Sequence, residues 1–242
     1  MLKIAIFNFK GGTGKSTTAL NLSAALANKK RRILMADLDG QRTLSFSVGM
    51  DGQTPTAVDW LKSDTFFSPV ETKMNNLSLI PGDIAMFQMS AEQDLFTPAL
   101  ERLEGFFDLA MMDCPPSLAF SSVQAILSSD RVLVPTLCEP AALKGLSEAI
   151  ELIRQERPEM PIDVLRVRYK PKLVLTREAD ELLIESSVDM DYRLLHTTIP
   201  ENVSVAESIA QQVPVLEYAP KSPGAKAYYS LAKECSKVWR VA

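Results

Sequence analysis

Residues 10–17 carry the clearest pattern for chemistry in this chain, Lys-Gly-Gly-Thr-Gly-Lys-Ser-Thr. Glycines allow backbone N–H groups to turn toward a bound anion, and the first turn of a helix adds partial positive charge. Lys15 would then reach the β- and γ-phosphates of a nucleotide, and the Ser16 hydroxyl would bind Mg²⁺. The pattern therefore predicts a phosphate-binding loop.

The elements on either side of this loop are the ones that such a loop requires. Residues 2–7 form a short apolar run, which is typical of a buried parallel strand. Residues 16–28 place Leu20, Leu22, Ala25 and Leu26 at helical spacing. A glycine turn that binds nothing is the alternative, and the strand, the helix and the two lysines argue against it.

The loop departs from the usual phosphate-binding pattern at its start. The pattern G-x-x-x-x-G-K-[ST] needs glycine at position 9, where Phe stands, and a second lysine, Lys10, lies five residues before Lys15. This loop resembles the deviant Walker A loop of the ParA/MinD family of ATPases. The resemblance implies ATP and Mg²⁺ as cofactors and a nucleotide bound by Lys10, Gly11, Gly12, Thr13, Gly14, Lys15, Ser16 and Thr17.

Two acids end the next apolar segment, residues 31–39. Asp37 and Asp39 at the carboxyl end of a parallel strand beside a phosphate loop would lie where Mg²⁺ and an attacking water sit. The segment resembles the D-x-D-P-Q run of the ParA family, with Gly40 where that family usually has Pro. The resemblance implies that Asp39 organises the hydrolytic water and that Asp37 lies near the metal. Carboxylates that only cap a helix or shape a turn are the alternative.

A third acid follows the apolar residues 106–112. Asp113 ends this predicted strand and precedes Cys-Pro-Pro, which matches the D-x-P-P segment of the family at the Walker B position; a turn-forming aspartate is the alternative. The predicted metal ligands are therefore Ser16, Asp37 and Asp113, and the predicted catalytic residues are Lys10, Lys15 and Asp39.

The second half of the chain continues the resemblance to about residue 237, while residues 42–105 do not align by eye. Residues 138–146 resemble the C-E-x-x-A-L-x-G-L run of chromosomal ParA proteins, at the start of a predicted helix over 139–157. Residues 171–176 read as a strand, so the resemblance makes Thr176 and Arg177 candidates for contacts to the adenine. Pro200, in a further ParA-like segment, is assigned to the same nucleotide site.

Length and composition predict one α/β domain over residues 1–242. The chain has 242 residues, of which 46% are hydrophobic and 23% charged, as in an ordinary globular protein. We expect a P-loop NTPase with a deviant Walker A loop and a mostly parallel, twisted sheet flanked by helices on both faces. No apolar run approaches the ~20 residues that span a bilayer. The start lacks a signal-peptide pattern and the three cysteines lack C-x-x-C spacing, which predicts a cytoplasmic location without a membrane partner.

The last predicted helix carries a row of cations. At ~100° per residue, four basic side chains fall within about 60° of one another, opposite an apolar face; they are Lys226, Lys233, Lys237 and Arg240. Such a row would follow a DNA backbone without sequence preference, and a solvated face is the alternative. A second basic cluster at 166, 168, 170 and 172 could extend this basic patch, but an edge strand protected by charge is the better interpretation. Glu201 and Pro223 occupy positions that are often Arg in DNA-binding relatives.

The resemblance implies a slow ATPase that forms a homodimer when ATP is bound, with Lys10 reaching the partner subunit's phosphates. Such a dimer binds nucleoid DNA and positions a plasmid, a chromosome or a protein assembly, and a ParB-like adaptor stimulates hydrolysis. A MinD-like membrane switch, an iron–sulfur carrier of the same superfamily and an ATP-dependent synthetase similar to dethiobiotin synthetase are the alternatives. His196, the single histidine, is predicted to be structural.

Overall fold

The computed structural model describes residues 1–27 and 30–241, and within them eight strands form one sheet. The strand order is β3-β4-β2-β5-β1-β6-β7-β8, and every neighbouring pair is parallel except β3 with β4. The strands are β1 (Leu2–Ile6), β2 (Ile33–Asp37), β3 (Val70–Glu71), β4 (Leu77–Ile80), β5 (Leu109–Asp113), β6 (Arg131–Leu137), β7 (Ile162–Tyr169) and β8 (Arg193–Pro200).

Helices cover both faces of this sheet, and each face has its own apolar core. The helices are α1 (Lys15–Leu26), α2 (Thr43–Ser47), α3 (Ala57–Lys62), α4 (Phe96–Glu101), α5 (Phe120–Leu127), α6 (Pro140–Glu156), α7 (Val174–Asp189), α8 (Val203–Ala210), α9 (Val215–Tyr218) and α10 (Pro223–Val238), with a 3₁₀ helix over Ile84–Gln88. Trp60, Phe96 and Ile150 belong to one core, whereas Leu20 and Leu231 belong to the other. The predicted fold class is confirmed.

The strands that carry the predicted site lie at the centre of the sheet. In the pairing register, Ile6 at the end of β1 and Asp37 at the end of β2 are both opposite Asp113 at the end of β5. The carboxyl ends of these three strands therefore meet at one edge of the sheet, where ligands bind in open α/β sheets. This register places Asp37, Asp113 and the loop after β1 together at that edge.

The strand predicted over residues 171–176 is wrong. The strand of this region is β7, which ends at Tyr169, and α7 begins at Val174. Thr176 is therefore a buried residue of α7, and Arg177 is exposed on the same helix. A short apolar run such as 173–175 fits a helix as well as a strand, and periodicity cannot separate the two.

The interpretation of the second basic cluster as an edge strand is also wrong. β7 lies between β6 and β8, so it is an interior strand. Arg166 is buried and donates to the Asp180 carboxylate at 2.6 Å and to the Leu195 carbonyl oxygen at 2.6 Å. His196, which is predicted to be structural, lies within β8, and its side chain is exposed.

The last helix matches its prediction along most of its length. Lys226, Lys233 and Lys237 are exposed, and the opposite face packs into the core through Tyr228 and Leu231. α10 ends at Val238, and Arg240 has a left-handed backbone with φ 54°. Arg240 is therefore exposed beyond the helix and does not extend its face.

A further prediction concerns the bounds of the first helix. The helix predicted over 16–28 is α1, which runs from Lys15 to Leu26, and Asn28 lies outside the described residues. No helix in the described chain combines the length and the apolar character needed to cross a membrane.

Candidate nucleotide-binding site

The loop between β1 and α1 depends on glycine at two positions. Gly12 and Gly14 have φ values of 74° and 76°, a left-handed conformation that other residues rarely adopt. Gly14 caps α1 without any side-chain hydrogen bond to the first turn. The first N–H groups of the helix are therefore available to an anion at its N-terminus.

Lys15 is buried in this loop among backbone carbonyl groups. Its Nζ donates to the carbonyl oxygen of Asn8 at 3.1 Å and to that of Lys10 at 3.4 Å. Asn8 is itself fixed, because its side-chain amide donates to the Pro135 carbonyl oxygen at 2.8 Å and its Oδ1 accepts from the Lys10 N–H at 2.9 Å. Burial lowers the pKa of Lys15, and the negative charge of Asp113 partly opposes this shift. The loop thus holds a desolvated cation that a phosphate would stabilise.

Asp113 is a buried carboxylate with neither oxygen hydrogen-bonded within the described residues. Burial raises its pKa well above the ordinary range and the charge of Asp37 adds to this, whereas the neighbouring Ser16 side chain and the Lys15 ammonium lower it. A buried carboxylate without a partner is costly, and a hydroxyl beside it supplies a second oxygen ligand. These two groups fit a hard divalent cation such as Mg²⁺.

The protein does not provide a complete metal site by itself. Within residues 1–27 and 30–241, no group of three or more His, Cys, Asp or Glu side chains is arranged to hold a metal ion. Mg²⁺ commonly takes one or two protein ligands and fills its other positions with water and phosphate oxygens. The residues present therefore fit Mg²⁺ that arrives with a nucleotide.

Asp37, the remaining predicted metal ligand, already accepts hydrogen bonds within the fold at both carboxylate oxygens. Its Oδ2 accepts from the Ser45 backbone N–H at 2.8 Å and from the Ser45 hydroxyl at 2.7 Å, and its Oδ1 accepts from the Asp39 N–H at 3.3 Å. Burial raises the pKa of Asp37 to about 6. These contacts fix the segment from Asp39 to Ser45, so the role that this structure supports for Asp37 is to hold the neighbouring acid in place.

Asp39 lies close to Asp113 and Lys15. Its negative charge raises the pKa of both Asp113 and Lys15, and its side chain is almost fully buried. The Asp39 Oδ1 accepts from the Gln41 backbone N–H at 2.9 Å, which closes a tight turn after β2. Asp39 therefore lies beside the phosphate-binding loop. The direction of its carboxylate depends on the backbone conformation of residues 39–41, because the Gln41 N–H binds one of its oxygens.

Lys10 lies on the outer side of the loop. It is half-buried in a small groove of about 260 Å³, together with Phe9 and residues Ala141, Lys144, Gly145 and Glu148 of α6. Within the described chain the Lys10 ammonium makes no ion pair, although its backbone carbonyl accepts from Lys15 and from the Thr13 hydroxyl. The loop is therefore held together by the backbone of Lys10, and the structure shows no ion pair of its ammonium group among the described residues.

A cleft of about 480 Å³ adjoins the glycines of the loop. Its walls are Gly12, Gly14, Thr17, Val167, Arg168, Ile199, Pro200, Glu201, Asn202, Val203, Val205, Ala206, Ile209 and Tyr228. A mostly apolar cleft with a few polar groups beside a phosphate loop suits a purine base. Pro200, which is predicted to contact the nucleotide, lines this cleft, whereas Thr176 and Arg177 do not.

The sequence reasoning missed the residues that β7 and α8 contribute to the cleft. Val167 and Arg168 stand near the end of β7, and Val203 begins α8. The run Ile-Asp-Val-Leu-Arg-Val-Arg-Tyr over β7 carries the β-branched and alternating residues of a strand. Assigning the strand to this run would have directed the search for base contacts to 167 and 168.

An ion-pair cluster stands at the rim of the cleft. The Glu201 carboxylate accepts from the Arg168 guanidinium at 2.9 Å and from the Lys170 ammonium at 2.6 Å. Hydrogen bonds from these two cations lower the pKa of Glu201. One acid therefore holds two cations together where β7 and β8 end.

Known proteins are similar to this chain over most of its length. The AAA_31 family model, described as an AAA domain, matches residues 1–163. The chromosome partitioning protein ParA of Caulobacter vibrioides is 34% identical over 250 residues, which cover 96% of this chain and 92% of that protein.

Two solved structures share the fold along nearly the whole chain. The septum site-determining protein MinD of Pyrococcus horikoshii, complexed with Mg-ADP, has a TM-score of 0.82 and 27% identity, and the match covers 99% of this chain and 98% of that one. The cobyrinic acid a,c-diamide synthase of Mycobacterium smegmatis, with a bound ATP analogue and magnesium, has a TM-score of 0.80 and 28% identity, with 99% and 96% covered.

Proposed function

The chain belongs to the ParA/MinD family of deviant Walker A ATPases, and on that premise we propose that it is an ATP-switched dimer that positions a cargo on nucleoid DNA. It hydrolyses ATP to ADP and phosphate, and it uses Mg²⁺. Residues 1–242 act as one ATPase domain. The observation that carries the proposal is the pair of lysines in one loop, of which Lys15 faces inward and Lys10 faces α6.

The nucleotide site follows from the residues around Lys15. Lys15 and the N–H groups of residues 11–17 bind the phosphates, and Ser16 with Asp113 holds the Mg²⁺, which neutralises phosphate charge when bound. Asp39 orients the attacking water from the turn after β2. Asp37 supports Asp39 through the Ser45 network.

Lys10 gives the dimer its dependence on ATP. Its ammonium has no acidic partner in the described part of the chain, and it stands at the surface between the loop and α6. A second subunit that presents its triphosphate to this surface would satisfy the charge. Because hydrolysis removes the γ-phosphate, the same event weakens the contact between subunits.

The test of the dimer compares two lysines on the walls of one groove. Lys10→Ala is expected to bind an ATP analogue as tightly as monomeric wild type does at low protein concentration, but to sediment as a monomer where the wild type is a dimer. Lys144→Ala is the matched control, because Lys144 is 83% exposed and pairs with Glu148 on its own helix. Wild type that stays monomeric with a non-hydrolysable ATP analogue would contradict the proposal.

DNA is the surface that we assign to the ATP-bound dimer. The cations of α10 are exposed on one side of a helix whose other side is buried, which supports a contact with phosphates that is independent of sequence. An Asp39→Ala protein loaded with ATP should be retained on random-sequence DNA at low salt. A ParB-like adaptor would then release it by stimulating hydrolysis.

Two other functions are tested by the same proteins. A small-molecule synthetase is favoured by the likeness to the cobyrinic acid a,c-diamide synthase, and such an enzyme has no need of Lys10. A membrane switch is favoured by the likeness to MinD. Hydrolysis and assembly that are both unchanged in Lys10→Ala would favour the synthetase, and ATP-dependent sedimentation with liposomes would favour the membrane switch.

A further inference from the structure

The Phe87 ring lies directly on the backbone of Gly40, the residue that follows Asp39. A Cβ built on Gly40 would be 2.5 Å from Phe87 Cδ2 and 2.6 Å from Cε2, which is shorter than real contacts. The ring therefore occupies the space that any larger residue at position 40 would need. Gly40 itself lies outside the left-handed region of backbone conformations, so space rather than φ requires glycine here.

Core burial does not explain this phenylalanine. Phe87 is 56% exposed, and it belongs to the 3₁₀ helix over Ile84–Gln88. Its neighbour Met86 is buried and anchors that helix in the core. The ring thus remains largely at the surface, where it contacts Gly40.

The segment that carries Phe87 is tied to the acids at its other end. The Gly82 N–H donates to the Ser45 hydroxyl at 2.8 Å, and that hydroxyl donates to Asp37. A Cβ on Gly82 would be 2.9 Å from the Asp37 carboxyl carbon. Asp83 then caps the 3₁₀ helix at Ala85 and accepts from the Thr56 hydroxyl at 2.9 Å. Residues 82–88 therefore contact the segment 37–41 at two points, Gly82 beside Asp37 and Phe87 on Gly40.

We propose that Phe87 is a positioning residue for ATP hydrolysis, because its ring restrains Gly40 and thereby fixes the direction of the Asp39 carboxylate. Glycine has more backbone freedom than any other residue, and here it directly follows the acid that must be aimed. A misplaced catalytic group slows the chemical step without weakening substrate binding. This inference rests on the proposed role of Asp39 in hydrolysis.

The first test separates turnover from binding. Phe87→Ala is expected to lower kcat about tenfold, while the Kd for a fluorescent ATP analogue stays within about twofold of the wild type. Phe87→Tyr keeps the ring and should keep kcat. Ile84→Ala is the matched control, because Ile84 is 63% exposed on the same 3₁₀ helix and is not among the atoms nearest to Gly40.

The second test replaces the ring by another restraint on the same residue. Proline fixes its own φ, and no hydrogen bond from the Gly40 N–H is present among the described residues, so proline removes none. Gly40→Pro alone should lose activity because the proline ring would collide with the Phe87 side chain. Gly40→Pro combined with Phe87→Ala should return kcat to within about threefold of the wild type.

The outcomes distinguish this inference from the role of Asp39 itself. If Asp39→Asn hydrolyses ATP at the wild-type rate, the proposed role of Asp39 is wrong. If Asp39→Asn is inactive but Phe87→Ala has the wild-type kcat, the positioning role is overturned. A double variant that is no faster than Phe87→Ala also overturns it, and circular dichroism of each variant establishes that the fold is intact.

Discussion

The ammonium nitrogen of Lys15 lies 3.1 Å from the carbonyl oxygen of Asn8 and donates a hydrogen bond to it. The hydrogen bonds of this buried cation go to neutral carbonyl groups, which compensate its charge poorly. Burial accordingly lowers the pKa of Lys15 although the nearby charge of Asp113 opposes the shift. A phosphate that reaches the loop supplies the missing negative charge. Burial of the charged Lys15 therefore lowers the stability of the ligand-free protein, and the same charge favours phosphate binding.

Lys15→Gln should separate this cost from its use. Glutamine still donates hydrogen bonds to the carbonyls but carries no charge, so the ligand-free protein should melt at or above the wild-type temperature. Binding of an ATP analogue with Mg²⁺ should weaken by about tenfold or more, and hydrolysis should be lost. Scanning fluorimetry with and without the analogue measures both effects. An analogue-induced rise in Tm equal to that of the wild type would contradict the assignment.

The cations of α10 should act through the salt dependence of DNA binding. The slope of log K against log salt concentration is negative, and each phosphate contact that is removed reduces its magnitude by about 0.9. Lys233→Ala combined with Lys237→Ala should therefore reduce that magnitude by about 2. Lys62→Ala with Lys73→Ala removes the same charge from exposed positions elsewhere and should leave the slope unchanged. Fluorescence anisotropy with random-sequence DNA measures the slope. Equal slopes in the two double variants would exclude α10 from the interface.

Glu201 should oppose DNA binding near the start of α10. It holds Arg168 and Lys170 in ion pairs at 2.9 Å and 2.6 Å, so its single negative charge offsets one of their two positive charges. Glu201→Gln frees both cations and should tighten binding to DNA at low salt about threefold. Glu178→Gln changes the net charge equally on the exposed side of α7 and is the control. If the two variants bind equally, the surface around position 201 does not face DNA.

The strands and acids of the site followed from the sequence because parallel strands end at one edge of the sheet. Apolar runs before Asp113 and Asp37 identified β5 and β2, and the glycines identified the loop. These features are local, so neighbouring residues are sufficient to recognise them.

The contacts that complete the site were not predictable in this way. Phe87 meets Gly40 across 47 positions of sequence, through a segment with no pattern of its own. Residues of β7 and α8 line the cleft beside Gly14. The apolar run at 173–175 led to a strand prediction over 171–176, whereas β7 ends at Tyr169. Such contacts depend on tertiary packing, which composition and periodicity do not record.

Asp163 ties the end of α10 to the sheet, and it does so as a buried charge. The Trp239 indole N–H, just after α10, donates to its Oδ2 at 2.7 Å, and the Arg131 guanidinium donates to the same oxygen at 3.0 Å. The Arg193 guanidinium lies 3.7 Å from its other oxygen. Burial raises the pKa of Asp163, and the two arginines and the Trp239 hydrogen bond lower it without cancelling the shift.

This raised pKa should appear in the stability of the protein. Because folded Asp163 holds its proton more tightly than the unfolded chain does, its contribution is fully present below the ordinary pKa, about 4, and is lost as pH rises through the folded value. Asp163→Asn cannot titrate and should not lose that contribution. We therefore expect the unfolding free energy of the wild type, relative to Asp163→Asn, to fall as the pH rises above about 4. Urea unfolding of both proteins at a series of pH values measures this difference. A difference that stays constant, or grows in favour of the wild type, would show that the ion pairs outweigh burial.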